Sequence, residues 1–215
     1  MAETRHSKPA QAKESLSELL EEIRACRFCV ETPIGAALPH EPRPVLQVSS
    51  TARLAIFGQA PGARVHKSGR PFTDPSGDRL RDWLGIGPDI FYDETRVAIA
   101  PMGFCFPGYD DKGADRPPRK ECAPLWRARL IAAMPRVETA VLVGSYAQNW
   151  HLEGPTLKTM TETVANWRAY APAFFVIPHP SWRNNAWIRK HPWFEGELLP
   201  ALRAAVGAAM APLNS

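Results

Sequence analysis

Leu54-Ala55-Ile56-Phe57-Gly58-Gln59-Ala60-Pro61-Gly62 is the stretch whose reading decides the fold. Its first four residues form an apolar, strand-like run of the kind found in parallel sheets buried on both faces. The chain then loses regular structure: between Gly58 and Gly77 lie four glycines and three prolines, too many for a helix or strand. That loop includes Ser68-Gly69-Arg70-Pro71-Phe72-Thr73-Asp74-Pro75-Ser76-Gly77, and a helix-like run, Asp78 to Leu84, leads out of it. Open α/β sheets hold their ligands in such loops, beyond the ends of buried strands. The side chains suit a planar guest, with Phe72 to stack and Gln59 and Asp74 to hydrogen-bond or handle a proton.

Working outward, three more short apolar runs read as buried parallel strands: 97–100, 139–143 and 174–177. Helical patterns separate them at 78–84, 119–134 and 145–152, and a last helix covers 194–210. This alternation predicts a three-layer α/β/α sandwich on a central four-stranded parallel sheet. Before the first strand, Leu16, Leu19, Leu20 and Ile23 fall at helical spacing, so 14–25 reads as an amphipathic helix. A Pro-rich coil over 31–50 is expected to wrap a surface rather than form core. Residues 1–13 read as a polar, disordered tail, and 14–215 as a single domain without internal repeats.

The chain has 215 residues, a formal net charge of +4 and a pI near 9.0. No apolar run approaches the roughly 20 residues that span a bilayer, and the N-terminus lacks the apolar core of a secretory signal, so the expectation is a cytoplasmic protein. The basic balance fits a nucleic-acid partner without establishing one. Arg and Lys interleaved with Trp between Trp182 and Trp193 supply phosphate contacts and stacking faces together. Arg189 and Lys190 read equally as backbone contacts or as solvated surface, and Trp193 reads as packing.

Of the four cysteines, Cys26 and Cys29 form a C-x-x-C pair, while sixteen residues separate Cys105 from Cys122. Two disulfides are not expected of a cytosolic chain. Spacing alone leaves a structural zinc, an iron–sulfur cluster and no metal all open. In any case a metal here would staple the N-terminal helix to the loop after the second strand.

Together these motifs resemble the uracil-DNA glycosylase superfamily, in particular its iron–sulfur branch, families 4 and 5. Gly58-Gln59-Ala60-Pro61-Gly62 looks like the first motif, Gly69-Arg70-Pro71-Phe72 like the segment whose Phe stacks on a flipped base, and His179-Pro180-Ser181 like the second motif. The four cysteines match the ligand order of a 4Fe–4S cluster. The resemblance implies a monomeric, monofunctional hydrolase that removes uracil from DNA around a structural cluster held by Cys26, Cys29, Cys105 and Cys122. Gly58, Gln59, Ala60, Phe72 and His179 would bind the base. Asp74 would orient or deprotonate water, with Gln59 sharing it, the alternative for Asp74 being a turn or helix cap in Asp-Pro-Ser-Gly. His179 would donate toward uracil O2, the alternative being a core residue bonded to a carbonyl. Ser76, Ser181, Trp182, Arg183 and Asn184 would meet DNA, with Trp182 or Arg183 filling the vacated base position; Ser76 suits a helix cap equally well. Three departures stand out. Gln59 occupies the place of a Glu. Pro101-Met102-Gly103-Phe104 precedes Cys105, where an Asn that reads uracil is expected. Thr73-Asp74 resembles the acidic residue after the Phe in family 5. Residues 109–115 contain no His, against DNA crosslinking, and Lys67 and His66 read as surface. The rival readings are a protein that binds uracil or abasic DNA with little turnover, a glycosylase for hypoxanthine or xanthine, and a zinc-stabilised enzyme on a small nucleotide.

Overall fold

The computed structural model describes residues 15–152 and 159–212; the expected tail over 1–13 lies outside them. Four strands, β1 (Leu54–Phe57), β2 (Val97–Ile99), β3 (Thr139–Val143) and β4 (Phe174–Ile177), form one sheet in the order β2-β1-β3-β4. All neighbours run parallel, with Leu54 opposite both Val97 and Thr139, and Ala140 opposite Phe174. Every strand residue except Phe174 is buried, so both faces of the sheet are covered, as an α/β sandwich requires. β2 stops one residue short of expectation: the Ala100 amide still donates to Ile56 O at 2.9 Å, but Pro101 has no N–H to continue the ladder.

The helices are α1 (Leu16–Arg24), α2 (Phe28–Glu31), α3 (Ala63–Ser68), α4 (Pro75–Leu84), α5 (Pro88–Phe91), α6 (Cys122–Ala132), α7 (Ser145–His151), α8 (Met160–Ala165), α9 (Asn185–Lys190) and α10 (Leu199–Met210). Capping boxes at Ser15/Glu18 and Thr159/Glu162 start α1 and α8. α4 begins at Pro75, earlier than Asp78, because Asp74 takes the N-cap position and proline is pre-organised for N1. The last helix is entered through a π-helical turn, Phe194–Leu198, as Pro200 cannot donate to the carbonyl a turn back. None of α2, α3, α5, α8 and α9 was expected from the sequence pattern.

The Pro-rich segment does more than wrap a surface. Leu38, Val45 and Val48 are buried, and Gln47 exchanges backbone hydrogen bonds with Ile99 (2.9 and 2.6 Å) in an antiparallel bridge. The segment thereby covers the open edge of β2, a position that otherwise invites unwanted pairing. Among the described residues no helix is long and apolar enough to cross a membrane.

Candidate active site

The loop after β1 is anchored at both ends. The Met102 amide donates to Gly58 O (2.9 Å) and the Gly103 amide to Gln59 O (3.0 Å), joining the loop to the continuation of β2. Further on, Phe72 has φ 52°, a left-handed conformation unusual for an aromatic residue. Its carbonyl accepts from Tyr92 Oη at 3.0 Å and Arg81 Nη1 at 3.3 Å. The same carbonyl dictates the glycine at 77, where a Cβ would stand 1.9 Å from Phe72 O. Held this way, the Phe72 ring lies 3.4 Å from where a Cβ on Gly58 would be, and edge-on to Phe91.

This geometry makes a pocket of about 90 Å³. Its depth is apolar: Val45, Gly58, Pro71, Phe72, Ile99 and Pro101. Its mouth is polar, with Gln59, Asp74, Ser76, Asp115 and His179 lining both the pocket and an outer groove of about 710 Å³. Asp74 makes no side-chain bond to the amides of α4; its Oδ2 instead accepts from Ser76 Oγ at 2.6 Å. Ser76 therefore positions the carboxylate from inside the first turn of α4; it is not the helix cap. His179 follows β4 by two residues, and its carbonyl accepts from Asn184 Nδ2 at 2.7 Å. Burial pulls the His179 imidazole below its ordinary pKa while the Asp74 charge opposes the shift, so the ring is neutral near neutral pH.

Arg64, Arg79, Arg116 and Arg183 line the outer groove together with Tyr109 and Trp182. Trp182 is 72 % exposed, and the Arg183 guanidinium lies 5.7 Å from its ring centroid. Both stand at the rim, where a wedge would have to be. Ser181 Oγ accepts from the Arg183 amide (3.3 Å) and Ser181 O from Arg79 Nη1 (3.2 Å), so this loop is tied to α4. Asn184 is engaged in holding the His179 backbone. Ala60 lines both pocket and groove. His66 is not the surface residue the sequence suggested. It is half-buried, 4.4 Å from the His40 ring and 5.9 Å from Phe106, and lies outside the pocket lining. Trp193 packs edge-on against Trp187.

The four cysteines, all free thiols, line one small cavity of about 20 Å³ with Phe104, Arg119 and Trp126. The Phe104 amide donates to Cys122 Sγ at 3.4 Å. Burial pushes the Cys29 thiol up to about 11 and Cys105 and Cys122 up to about 12. Among the described residues, no three His, Cys, Asp or Glu side chains are grouped as around a single metal ion.

Over residues 46–203, well over half of its length, the chain matches the Uracil DNA glycosylase superfamily. The chain belongs to this superfamily. Membership implies glycosylase activity on damaged bases in DNA, a hydrolytic repair reaction with DNA as the partner. The superfamily match takes in the β1 loop, the His179 loop, Cys105 and Cys122, while Cys26 and Cys29 precede it. Sequence reading named Arg183 but missed Asp115 and the other groove arginines, Arg64, Arg79 and Arg116. Gly108 and Gly113 around Asp110-Asp111 signal that the chain folds back there, and Arg79 falls one helical turn after Ser76.

Proposed function

We propose that this chain is a monomeric, monofunctional uracil-DNA glycosylase with a structural 4Fe–4S cluster. The observation that carries the reading is the pocket itself: an apolar slot floored by Phe72, with Asp74, Gln59 and His179 at its mouth and an arginine-lined groove outside. Swinging a base out of the duplex costs a few kcal/mol, and stacking it on Phe72 returns roughly 1–3 kcal/mol. With the base deep in the slot, the bond to sugar lies at the polar mouth. Cleavage puts negative charge on the departing uracil and positive charge on the sugar. Neutral His179 donates toward O2 as charge grows there, helped by the backbone amides of the Gln59 turn. Asp74, fixed by Ser76, orients or deprotonates the attacking water, and Gln59 shares its placement; such help is worth about 10²–10⁴-fold. No lysine lines the pocket or groove among the described residues, which supports hydrolysis without a Schiff base.

For the cluster, Cys26, Cys29, Cys105 and Cys122 are the ligands. Four sulfurs on one cavity and an amide donating to one of them suit an all-thiolate donor set. Each cysteine of a 4Fe–4S cluster takes its own iron, so the sulfurs need not close around one ion. Bound there, a cluster would supply cross-links; the lining of the base pocket includes no cysteine.

The test is uracil release from a single-uracil duplex by anaerobically purified protein. Multiple turnovers are expected, with Asp74→Asn and His179→Ala each lowering the rate by about 10²-fold or more while duplex binding persists. Tight retention of the DNA without release would turn the reading to a binding protein. Release of hypoxanthine or xanthine but not uracil would turn it to a glycosylase for another base.

A further inference from the structure

The pocket mouth holds a second carboxylate that no motif includes. Asp115 closes a tight loop. Asp110 Oδ1 accepts the amides of Lys112 and Ala114 (both 2.9 Å), Tyr109 and Asp115 form an antiparallel bridge, and the Arg116 amide donates to Gly108 O (2.9 Å). Gly108 and Gly113, at φ 86° and 75°, make the turns. The backbone thus presents the Asp115 carboxyl to the site, with Oδ2 3.3 Å from where a Cβ on Gly62 would be. Its oxygens have no hydrogen bond or ion pair within the described residues. Asp115 lines both pocket and groove, as Asp74 and His179 do, and therefore sits where the sugar must lie when a base fills the apolar depth.

We propose that Asp115 is a second catalytic carboxylate, whose negative charge stabilises the positive charge that develops on the sugar as the glycosidic bond breaks. The proposal rests on the glycosylase reading above and deepens it. The two carboxylates divide the work. Asp74, hydrogen-bonded to Ser76, serves the water, and Asp115, unpartnered, serves the cation. Its contribution is electrostatic and grows only in the transition state, which is the condition for raising the rate. The charged or titratable groups that line the groove with it are Asp74 from the β1 loop, Arg64 from α3, Arg79 from α4, His179 and Arg183 from the β4 loop, and Tyr109 and Arg116 from its own loop. Asp115 is exposed as a residue, but partial desolvation of its carboxyl at the pocket mouth raises its pKa; Arg183 works against that shift and the Asp74 charge adds to it. Asp115 acts ionised, so activity is lost as pH falls through this raised value, earlier than for an ordinary aspartate.

Two measurements test it. In single-turnover excision of uracil from a duplex, Asp115→Asn lowers the rate about 10- to 100-fold, leaves the melting temperature and duplex affinity near wild type, and moves the acid limb of the rate to lower pH. In the second, wild type and variant bind duplexes carrying a cationic pyrrolidine or a neutral tetrahydrofuran in place of the sugar. Wild type prefers the cationic duplex, and Asp115→Asn reduces that preference about tenfold. An unchanged preference overturns the proposal even if uracil is released normally. So does a variant whose rate holds while its duplex affinity changes, since Asp115 would then only modulate contacts to the DNA backbone. A wild type that releases no uracil but shows the Asp115-dependent preference overturns the uracil reading and leaves the second carboxylate standing.

Discussion

Phe72 stands in a backbone conformation that costs an L-residue of the order of 1–2 kcal/mol. Tyr92 and Arg81 hold its carbonyl there, and Gly77 yields the space that the carbonyl needs. Strain spent at this position fixes the ring that floors the pocket and sets the entry to α4, hence the aim of Asp74. Gly77→Ala is expected to destabilise the fold by about 1–3 kcal/mol, since its Cβ meets rigid backbone and not a flexible side chain. Excision falls further than stability does, because Phe72 and Asp74 move together. Gly207→Ala is the control: nothing lies within 4 Å of a Cβ there, and an alanine inside α10 stabilises by about 0.5–1 kcal/mol. Urea unfolding and single-turnover excision on both variants check the pair; equal loss of rate in the two would remove Phe72 strain from the account.

At the scale of elements, the end of β1 is clasped from two helices. The Arg127 guanidinium of α6 lies 5.0 Å from the Phe57 ring centroid and donates to the carbonyls of Ala100 and Pro101, while His151 of α7 stacks on Phe57 at 4.4 Å. Burial, then the positive charge of Arg127, lowers the His151 pKa from 6.5 to about 3. Between those values the unfolded chain binds a proton that the folded chain refuses. Stability therefore decreases as pH falls below 6.5, by roughly 1.4 kcal/mol per pH unit from this group. His151→Phe keeps a ring on Phe57 and removes that share, so urea midpoints at pH 7, 6 and 5 fall less steeply than in wild type; parallel slopes would contradict the buried neutral imidazole. Such clasps mark the limit of what sequence showed. The strands were legible because a parallel strand buried on both faces is a bare apolar run. α2, α3, α5, α8 and α9 were not, being single turns or little more that tertiary contacts hold. Gln59, Phe72, Asp74 and His179 were legible because short motifs carry them. Asp115 was not, because a fold-back of loop, not a motif, brings it to the mouth.

At the scale of the whole molecule, residues 15–45 precede the matched span yet are fastened across it. Arg129 pairs with Glu22 at 2.7 Å, Arg119 donates to Ala36 O at 2.7 Å, and the Val45 amide donates to Phe104 O at 2.8 Å. The Arg129–Glu22 pair is largely exposed and stabilises by no more than about 1 kcal/mol. The cysteine cavity joins Cys26, between α1 and α2, and Cys29 of α2 to Cys105 of the β2 loop and Cys122 at the start of α6. Burial holds three of these thiols protonated. In the proposed reading, thiolates on iron would make the cavity a set of covalent cross-links between the N-terminal segment and the body of the fold. Anaerobically purified protein is accordingly expected to contain iron and acid-labile sulfide in equal amounts, and the Cys26→Ser/Cys29→Ser double variant to contain neither. In that variant, amide exchange across residues 16–31 should rise roughly tenfold or more while the strands keep their protection. Excision measured on the folded fraction should persist, since neither the pocket nor the groove is lined by a cysteine. Exchange rising evenly through the sheet would make the four cysteines part of the global core, and a wild type free of iron would take the cluster out of the reading.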